Sequence, residues 1–284
     1  MSSRDSALRA ITDDGAFRVM TVRTTETVRA SAAAQRATGP VAGVYAELLT
    51  GAILVRETMA PDLRVQAILQ GRNRKSRMVA DVHPGGDTRG LVQLAQGDPE
   101  LALGDGAVLQ MMRTLNDGSL HQGIVEVPEQ GGVSAGLMRY MQASEQVVSM
   151  IAVGCVLEAG ELTGAAGYIV QLLPEVAPGP LMVMTERLAD FESIDRLIRR
   201  GAAEPDVLLG ELLHGMAYTQ VGSTPLRFHC PCSAARVAAS LATLPRADIE
   251  EFITDRRMLD IECDYCGKDY HIAPETLRGL LDAS

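Results

Sequence analysis

The chain has 284 residues, of which 46% are apolar and 22% charged, and its formal net charge is −10 at pH 7. This length and composition suit a folded protein with one large domain and a smaller one. The acidic balance excludes a chain that seeks nucleic-acid phosphates or anionic membrane through its overall charge.

The N-terminal stretch "MSSRDSALRAITDDGAF" lacks the basic start and apolar core of a secretory signal. The most apolar run, "VVSMIAVGCVLEAG", is shorter than the ~20 residues that cross a bilayer. We therefore expect a cytoplasmic protein. In that compartment thiols stay reduced, so clustered cysteines more often bind metal or sense redox state than form structural disulfides.

The first part of the chain predicts mixed α and β structure. A strand is predicted over "FRVMTVRTT", after a turn at residues 13–15, and two helices follow, separated at Gly39-Pro40. The strands "LRVQAILQ" and "RMVADVH" flank the basic turn "GRNRKSR", and a turn at 116–118 joins "AVLQMMRTL" to "HQGIVEV". Such closely spaced hairpins predict an antiparallel sheet with flanking helices, an α+β fold.

Residues 132–158 show a helical pattern, and "GAAGYIVQLLPE" predicts a closing strand before a boundary at 175–180. Beyond it a helix is predicted with one apolar side, formed by Met184, Leu188, Phe191, Ile194 and Ile198. A second helix is predicted between Pro205 and Gly215. Because these helices are short, their apolar side must pack against a neighbour.

These signals predict three parts. Residues 1–175 form an α+β N-terminal domain, residues 176–225 a helical linker, and residues 226–284 a small zinc-binding domain.

Four of the five cysteines lie near the C-terminus, as the C-x-C pair Cys230 and Cys232 and the C-x-x-C pair Cys263 and Cys266, with thirty residues between the pairs. Four thiolates suit the tetrahedral coordination of zinc. Gly267 fits the positive φ that closes a C-x-x-C knuckle. His229 and His271 flank the cysteines, but four sulfurs already fill the tetrahedron, so we interpret both histidines as neighbours.

The segment around the cysteines predicts a small module that depends on metal. Ser233 is suited to cap a helix over "AARVAASL", "PRADIEEFI" predicts a second helix, and "MLDIEC" and "KDYHI" predict strands beside the knuckle. A closing helix is predicted over "APETLRGLLDA", with Pro274 near its start. The core of such a unit is small, so the metal must supply much of its stability.

The two sulfurs of either pair are close enough to bond each other once metal leaves. Zinc holds cysteines as thiolates, the form that oxidants attack, while it blocks their pairing. Structural zinc contributes on the order of 10–16 kcal/mol in small modules, comparable to the stability of a whole domain. Oxidation is therefore predicted to unfold the C-terminal unit and to expose the apolar side of 176–225.

The sequence resembles the heat-shock protein 33 family of redox-regulated holdase chaperones over nearly its whole length. The resemblance rests on "GPVAGVYAELLTGAILV", "HQGIVEVPEQGGVSAGLMRYMQASEQ", "AAGYIVQLLPE", "RFHCPCSAARV" and "IECDYCGKDYHI". It implies an inactive, reduced form with one zinc ion, activated when disulfides Cys230–Cys232 and Cys263–Cys266 form, zinc leaves and the linker unfolds. It also implies an activated homodimer that holds unfolding clients without nucleotide.

Two other functions match parts of the sequence. Residues 132–136 match the G-x-S-x-G pattern of serine hydrolases, with Ser134 as nucleophile and His214, His229 and His271 downstream. "PEQGG" separates the predicted strand from Ser134, and a helix-capping serine explains the same residues. A zinc-ribbon module, either structural or bound to nucleic acid, is the second alternative. Residues 226–284 carry seven Lys and Arg against ten Asp and Glu, which disfavours phosphate binding.

The remaining candidate features have simpler interpretations. The basic cluster Arg72, Arg74, Lys75 and Arg77 is interpreted as a solvated hairpin turn. Cys155 is interpreted as a small buried hydrophobe. Some of the thirteen methionines, including Met138, Met141, Met182 and Met184, suit adaptable client contacts, although core filling explains each of them more simply.

Overall fold

The computed structural model describes residues 4–115, 117–128, 130–174, 176–191, 193–241, 244–255 and 258–282. Contacts divide the chain into two units, Met1–His229 and Cys230–Ser284. The three-part division at 175 and 225 stays a prediction.

The strands of the first unit are β1 (Ser6–Thr12), β2 (Phe17–Arg23), β3 (Arg64–Gln70), β4 (Arg77–Val82), β5 (Asp87–Gln93), β6 (Val108–Thr114), β7 (Leu120–Glu126), β8 (Ser149–Glu158), β9 (Glu161–Leu172), β10 (Tyr218–Pro225) and β11 (Arg227–Phe228). Its helices are α1 (Thr25–Ala34), α2 (Gly39–Glu57), α3 (Gly132–Tyr140), α4 (Pro178–Leu188), α5 (Ile194–Arg199) and α6 (Pro205–Leu212).

Two largely antiparallel sheets form the first unit. One has five strands in the order β10-β1-β2-β9-β8, and the other has six in the order β11-β5-β4-β3-β6-β7. In the six-stranded sheet, β11 alone runs parallel to its neighbour, β5. The predicted strands at β2, β3, β4, β6, β7 and β9 are confirmed, as is the α+β class. Of the predicted turn at 116–118, residue 116 lies outside the described residues.

Helix α2 packs against strands of both sheets and supplies the centre of the main core. Pro40 lies at its first turn, and most of its length is apolar on every side, which is the pattern of a helix buried all round. Its largest fully buried side chains are Tyr45, Leu48, Leu49, Ile53 and Leu54. This central helix explains why both sheets are apolar on the face that meets it.

A second core lies on the other face of the five-stranded sheet, where the linker helices pack. Ile194, Leu208 and Leu212 meet sheet residues that include Phe17 and Tyr168. The predicted apolar side of the first linker helix is confirmed, because Met184 and Ile194 are buried there. The single helix predicted for it is wrong, since a 3-10 turn at Ala189–Phe191 separates α4 from α5.

The helix predicted over 132–158 is correct only at its start. The chain continues from α3 into a π-helical turn, Met141–Glu145, and Gln146 then adopts a left-handed φ of 57°. The rest of the stretch is β8, which pairs with β9 along its length. Five of its ten residues are buried, four of them consecutive at 151–154, so the sequence is a continuous apolar run in which periodicity does not distinguish helix from strand.

The end of the predicted helical linker is also different. Residues Tyr218–Pro225 form β10, an edge strand that pairs with β1. Its alternating Thr, Val and Ser residues belong to a strand held by backbone pairing, with little apolar periodicity for sequence analysis to detect.

The second unit comprises α7 (Ala234–Leu241), α8 (Arg246–Thr254), the antiparallel hairpin of β12 (Leu259–Glu262) and β13 (Asp269–Ile272), and α9 (Pro274–Asp282). All five elements match the predicted ones. Its core of buried residues among those described is small: Ala238, Ile249, Tyr270 and Ile272. A core of this size stabilises a fold weakly without a disulfide or a metal.

Candidate metal centre

The structure brings the four C-terminal cysteines together. Their sulfur atoms all lie within 4.8 Å of one another, and every one of the four residues is partly buried. The Sγ atoms of Cys230 and Cys263 are 3.8 Å apart, and those of Cys232 and Cys266 are 3.4 Å apart. Among the residues the structure describes, this is the group of potential ligands that can share one metal ion.

The C-x-x-C pair lies on the turn that joins β12 to β13. The backbone N–H groups of Cys266 and Gly267 donate to the carbonyl of Cys263, at 3.2 and 2.8 Å. Gly267 has a φ of 68°, as predicted from the sequence. The Cys263 N–H in turn donates to the carbonyl of Lys268 at 2.9 Å. This turn fixes both sulfurs on the same side of the hairpin.

The C-x-C pair lies just before α7. The N–H of Arg236 donates to the Ser233 hydroxyl at 3.3 Å, in agreement with the predicted capping role of Ser233. The Arg236 guanidinium also donates to the Pro231 carbonyl at 3.1 Å. These contacts fix the start of the helix and hold the residue between the two cysteines.

Tyr270 is the site residue that sequence analysis missed. Its hydroxyl donates to Cys232 Sγ at 3.0 Å, and its ring lies in the core of the second unit. The Lys268 ammonium lies 5.4 Å from the centre of that ring. Alternation along "KDYHI" places Tyr270 and Ile272 on one face of β13, and that pattern was the available signal.

The four thiols differ in electrostatic environment. Burial raises the pKa of Cys232, but hydrogen bonds from Tyr270 and the neighbouring sulfurs outweigh burial and lower this pKa to about 7. Burial raises the pKa of Cys266 and that of Cys263. Without metal, negative charge therefore develops on Cys232 before it develops on Cys263 or Cys266. A divalent cation that binds here must displace the remaining thiol protons.

The donor set fits zinc. Four sulfurs that each lie about 2.3 Å from one zinc ion are about 3.8 Å from each other. The sulfurs of this cluster, at 3.4 and 3.8 Å across the pairs and within 4.8 Å throughout, agree with that tetrahedron. Soft thiolates favour zinc over magnesium or calcium, which prefer oxygen ligands.

Among the described residues, the group of potential ligands that can share one metal ion contains neither flanking histidine. His229 lies in the first unit, where its N–H donates to the Thr88 carbonyl at 3.0 Å. The His271 ring nitrogen Nδ1 lies 2.6 Å from a carboxylate oxygen of Asp260.

Ser134 lies inside α3, whose N-cap is Gly131, so the predicted capping role is wrong in detail. Its hydroxyl accepts a hydrogen bond from the Val153 N–H at 3.1 Å, and thereby joins the helix to β8. Among the hydrogen bonds of the described residues, none joins Ser134 to His214, His229 or His271. The hydrogen bond with Val153 indicates a structural role for Ser134.

Cys155 lies apart from the other cysteines, half-buried on β8 against the main core. Its thiol is 3.7 Å from the Gly43 carbonyl, and burial raises its pKa to about 12, so it stays protonated. This agrees with its interpretation as a small hydrophobe.

Of the four methionines considered for client contacts, Met141 and Met184 are buried in the core, Met138 packs against it, and Met182 is 61% exposed.

The basic residues of the turn between β3 and β4 are exposed, as predicted for a solvated hairpin turn. The Asn73 side chain accepts hydrogen bonds from the N–H groups of Lys75 and Ser76, which fixes the turn.

Among the described helices, none is both long and apolar enough to span a membrane.

Comparisons with known proteins agree on one family. The chain is 28% identical to a "33 kDa chaperonin" of Syntrophotalea carbinolica over 98% of its own length and 99% of the relative's. It is 27% identical to a "33 kDa chaperonin" of Bacillus subtilis, over 98% of each chain. The crystal structure of the Hsp33 homologue of Thermotoga maritima matches its fold with a TM-score of 0.81, at 21% identity and 99% coverage of both chains.

The family model described as "Hsp33 protein" matches residues 5–273, which cover most of both units and all four clustered cysteines. Membership supports a chaperone function. The predicted resemblance is confirmed: the chain belongs to the Hsp33 family.

Proposed function

We propose that this protein is an ATP-independent holdase chaperone whose activity is controlled by the redox state of Cys230, Cys232, Cys263 and Cys266. In the reduced state the four thiolates hold one zinc ion and the chaperone is inactive. Oxidation forms the disulfides Cys230–Cys232 and Cys263–Cys266, zinc leaves and the linker opens. The active form, a homodimer in the cytoplasm, binds unfolding proteins and neither nucleic acid nor membrane.

The convergence of four thiols in a unit with a very small core carries this proposal. Bound zinc supplies electrostatic stabilisation of four thiolates and fixes their geometry. The second unit has four buried hydrophobic residues among those described, so its fold depends on that contribution. The sulfurs within each proposed disulfide pair also lie within 4.8 Å of each other. Small local movements therefore suffice to pair them.

The oxidation balances with peroxide as the oxidant. A thiolate attacks one peroxide oxygen and becomes a sulfenic acid, while the other oxygen leaves as hydroxide. The second thiolate of the pair attacks the sulfenic sulfur, which forms the disulfide and releases a second hydroxide. Two pairs consume two peroxide molecules and remove all four sulfur ligands, so zinc is released.

The linker helices provide the surface that such an event can expose. Helices α4, α5 and α6 have 11, 6 and 8 residues, too short to be stable alone. Their inner face covers Phe17, Val19 and Tyr168 of the five-stranded sheet. On their outer face, Met182 is 61% and Val183 41% exposed. Opening of these helices would uncover apolar surface on both the linker and the sheet.

The test is induction of chaperone activity by peroxide at mildly elevated temperature. The reduced protein should not suppress aggregation of a denatured client, and the oxidised protein should. The double variant Cys263→Ser, Cys266→Ser should lose this response, whereas the matched control Cys155→Ser should keep it. A double variant that peroxide still activates would refute the proposal.

A further inference from the structure

One continuous segment covers an edge of each sheet in the first unit. We call residues 217–229 the edge segment. Its β10 pairs with β1 from Ser6 opposite Pro225 to Thr12 opposite Tyr218. The pairing continues past both ends, with Asp13 N–H donating to the Ala217 carbonyl at 2.9 Å and Leu226 N–H to the Asp5 carbonyl at 3.0 Å.

The same segment then passes to the other sheet. Arg227 and Phe228 of β11 pair in parallel with β5, and His229 N–H donates to the Thr88 carbonyl at 3.0 Å. The residue that follows is Cys230. The last hydrogen bond of the edge segment is therefore made by the residue directly before the first cysteine of the proposed switch.

Backbone pairing holds most of this segment in place. Within β10, Thr224 alone is buried, while Tyr218 and Val221 are 38% and 51% exposed. The pairing is also irregular, with a register shift between Arg9 and Ala10 of β1. Exposed backbone hydrogen bonds with few buried apolar contacts are typical of segments that open locally at low free-energy cost.

Side chains anchor the segment at four points, and two of these anchors are polar contacts near its C-terminal end. The Thr224 hydroxyl donates to the buried Glu57 carboxylate at 3.0 Å and accepts from the Arg9 guanidinium at 2.9 Å. Arg227 pairs with Asp87 at 2.6 Å, although the Arg227 side chain is 70% exposed.

The other two anchors are Thr219, whose hydroxyl donates to the Asp13 carboxylate at 3.0 Å, and Leu226, which is buried in the main core. From residue 220 to residue 223 the side chains are exposed or partly exposed, so the pairing there depends little on side-chain identity.

We propose that the edge segment occupies a strand-addition site, and that its departure opens the β1 and β5 edges to extended segments of unfolding proteins. This inference rests on the proposed redox function. An uncovered edge presents a row of unpaired N–H and C=O groups, which pair readily with another extended chain. Because β10 pairs with β1 while most of its side chains remain in solvent, the edge accepts backbone with little regard to sequence. A holdase needs that tolerance.

Locking β10 to β1 tests this inference. Ile11 and Thr219 are paired across the two strands, so Ile11→Cys with Thr219→Cys places two thiols face to face. The matched control is Gln110→Cys with Ile124→Cys, which links β6 to β7 and leaves the edge segment free. Mass spectrometry verifies each disulfide in the full-length protein. Zinc release, proteolysis within 178–212 and suppression of citrate synthase aggregation are measured on the same oxidised samples.

The locked variant should release zinc and become sensitive to protease, yet lose suppression of aggregation, while the control lock retains it. A locked variant that releases zinc, opens its helices and still suppresses aggregation overturns the inference and leaves the redox function intact. A lock that abolishes only dimer formation also overturns it, since the edge would then pair two copies of the chain. If the unlocked protein releases zinc without suppressing aggregation, the redox function itself fails and the inference falls with it.

A peptide experiment gives a second test that needs no variant. An excess of a synthetic peptide with the sequence of residues 217–226 should compete with client for the oxidised wild-type protein. The same peptide with N-methyl groups on the amides that face β1 should not compete, because it cannot donate to the edge. Equal competition by both peptides would exclude backbone pairing.

Discussion

Leu212 links the packing of the linker to the proposed activity. This side chain at the end of α6 is fully buried in the core that joins the linker helices to the five-stranded sheet. Truncation of a buried leucine to alanine costs about 2–5 kcal/mol. Each 1.36 kcal/mol changes an equilibrium tenfold, so Leu212→Ala should raise the open-to-closed ratio of the linker by a factor of about 30 to 5,000.

The assay compares client aggregation with the reduced, zinc-loaded wild type and the Leu212→Ala variant, without any oxidant. The variant should suppress aggregation while it retains zinc, because its linker opens without a redox event. Limited proteolysis should cut the variant within 178–212 and leave the reduced wild type intact there.

Val207→Ala is the matched control, since Val207 lies on the same helix but is 41% exposed. Surface truncations change stability by about 0.5 kcal/mol or less, so this variant should behave as wild type. The reasoning would be refuted if protease cut Leu212→Ala both within 178–212 and within the edge segment while the variant remained inactive, because opening of the linker would then not be what activates the chaperone.

Three further predictions concern individual side chains. Tyr270→Phe keeps the ring in the core but removes the hydrogen bond to Cys232, and should weaken zinc affinity about tenfold in a chelator competition; unchanged affinity would remove Tyr270 from the site. Burial raises the pKa of Glu47 from 4.5 to about 7, so the folded protein holds a proton that the unfolded chain releases, and stability falls as pH rises from about 4.5 to 7. Glu47→Gln should therefore stabilise the protein by up to roughly 3 kcal/mol at pH 8 and little at pH 4.5; equal effects in urea unfolding at both pH values would contradict this. A Cβ at Gly90 would lie 2.5 Å from the Val79 carbonyl oxygen, so Gly90→Ala should lower the free energy of unfolding in urea by about 1–3 kcal/mol. A variant as stable as the wild type would show that β4 and β5 can move apart at this point without cost.

The C-terminal unit was almost fully predictable from sequence. Cysteine pairs that bind zinc occur at characteristic short spacings, which both pairs here match. Gly267 is explained by the positive φ that closes the turn, and Ser233 by its capping of α7. Alternation along β13 indicates that Tyr270 faces the core, but its role at the metal site depends on a hydrogen bond to Cys232, 38 residues away, which that local pattern does not predict.

The first unit was predicted in class, but several elements were not found. The sequence of strand β8 predicts a helix because half of the strand is buried and its apolar residues form a continuous run without alternation. Strands β1 and β10 were missed because pairing between distant parts of the chain, Ser6–Thr12 with Tyr218–Pro225, stabilises both. The break between α4 and α5 does not change which side of the linker is apolar. The predicted residues on both sides of the break still pack against the five-stranded sheet.

The most direct test is a peroxide titration of the purified, reduced protein in which released zinc, remaining thiols and suppression of client aggregation are measured in the same samples. We expect one zinc ion to be released as four thiols disappear, with chaperone activity rising in parallel. Protein that carries no zinc when reduced, or that loses zinc and thiols without any gain in client holding, would contradict the proposed redox control.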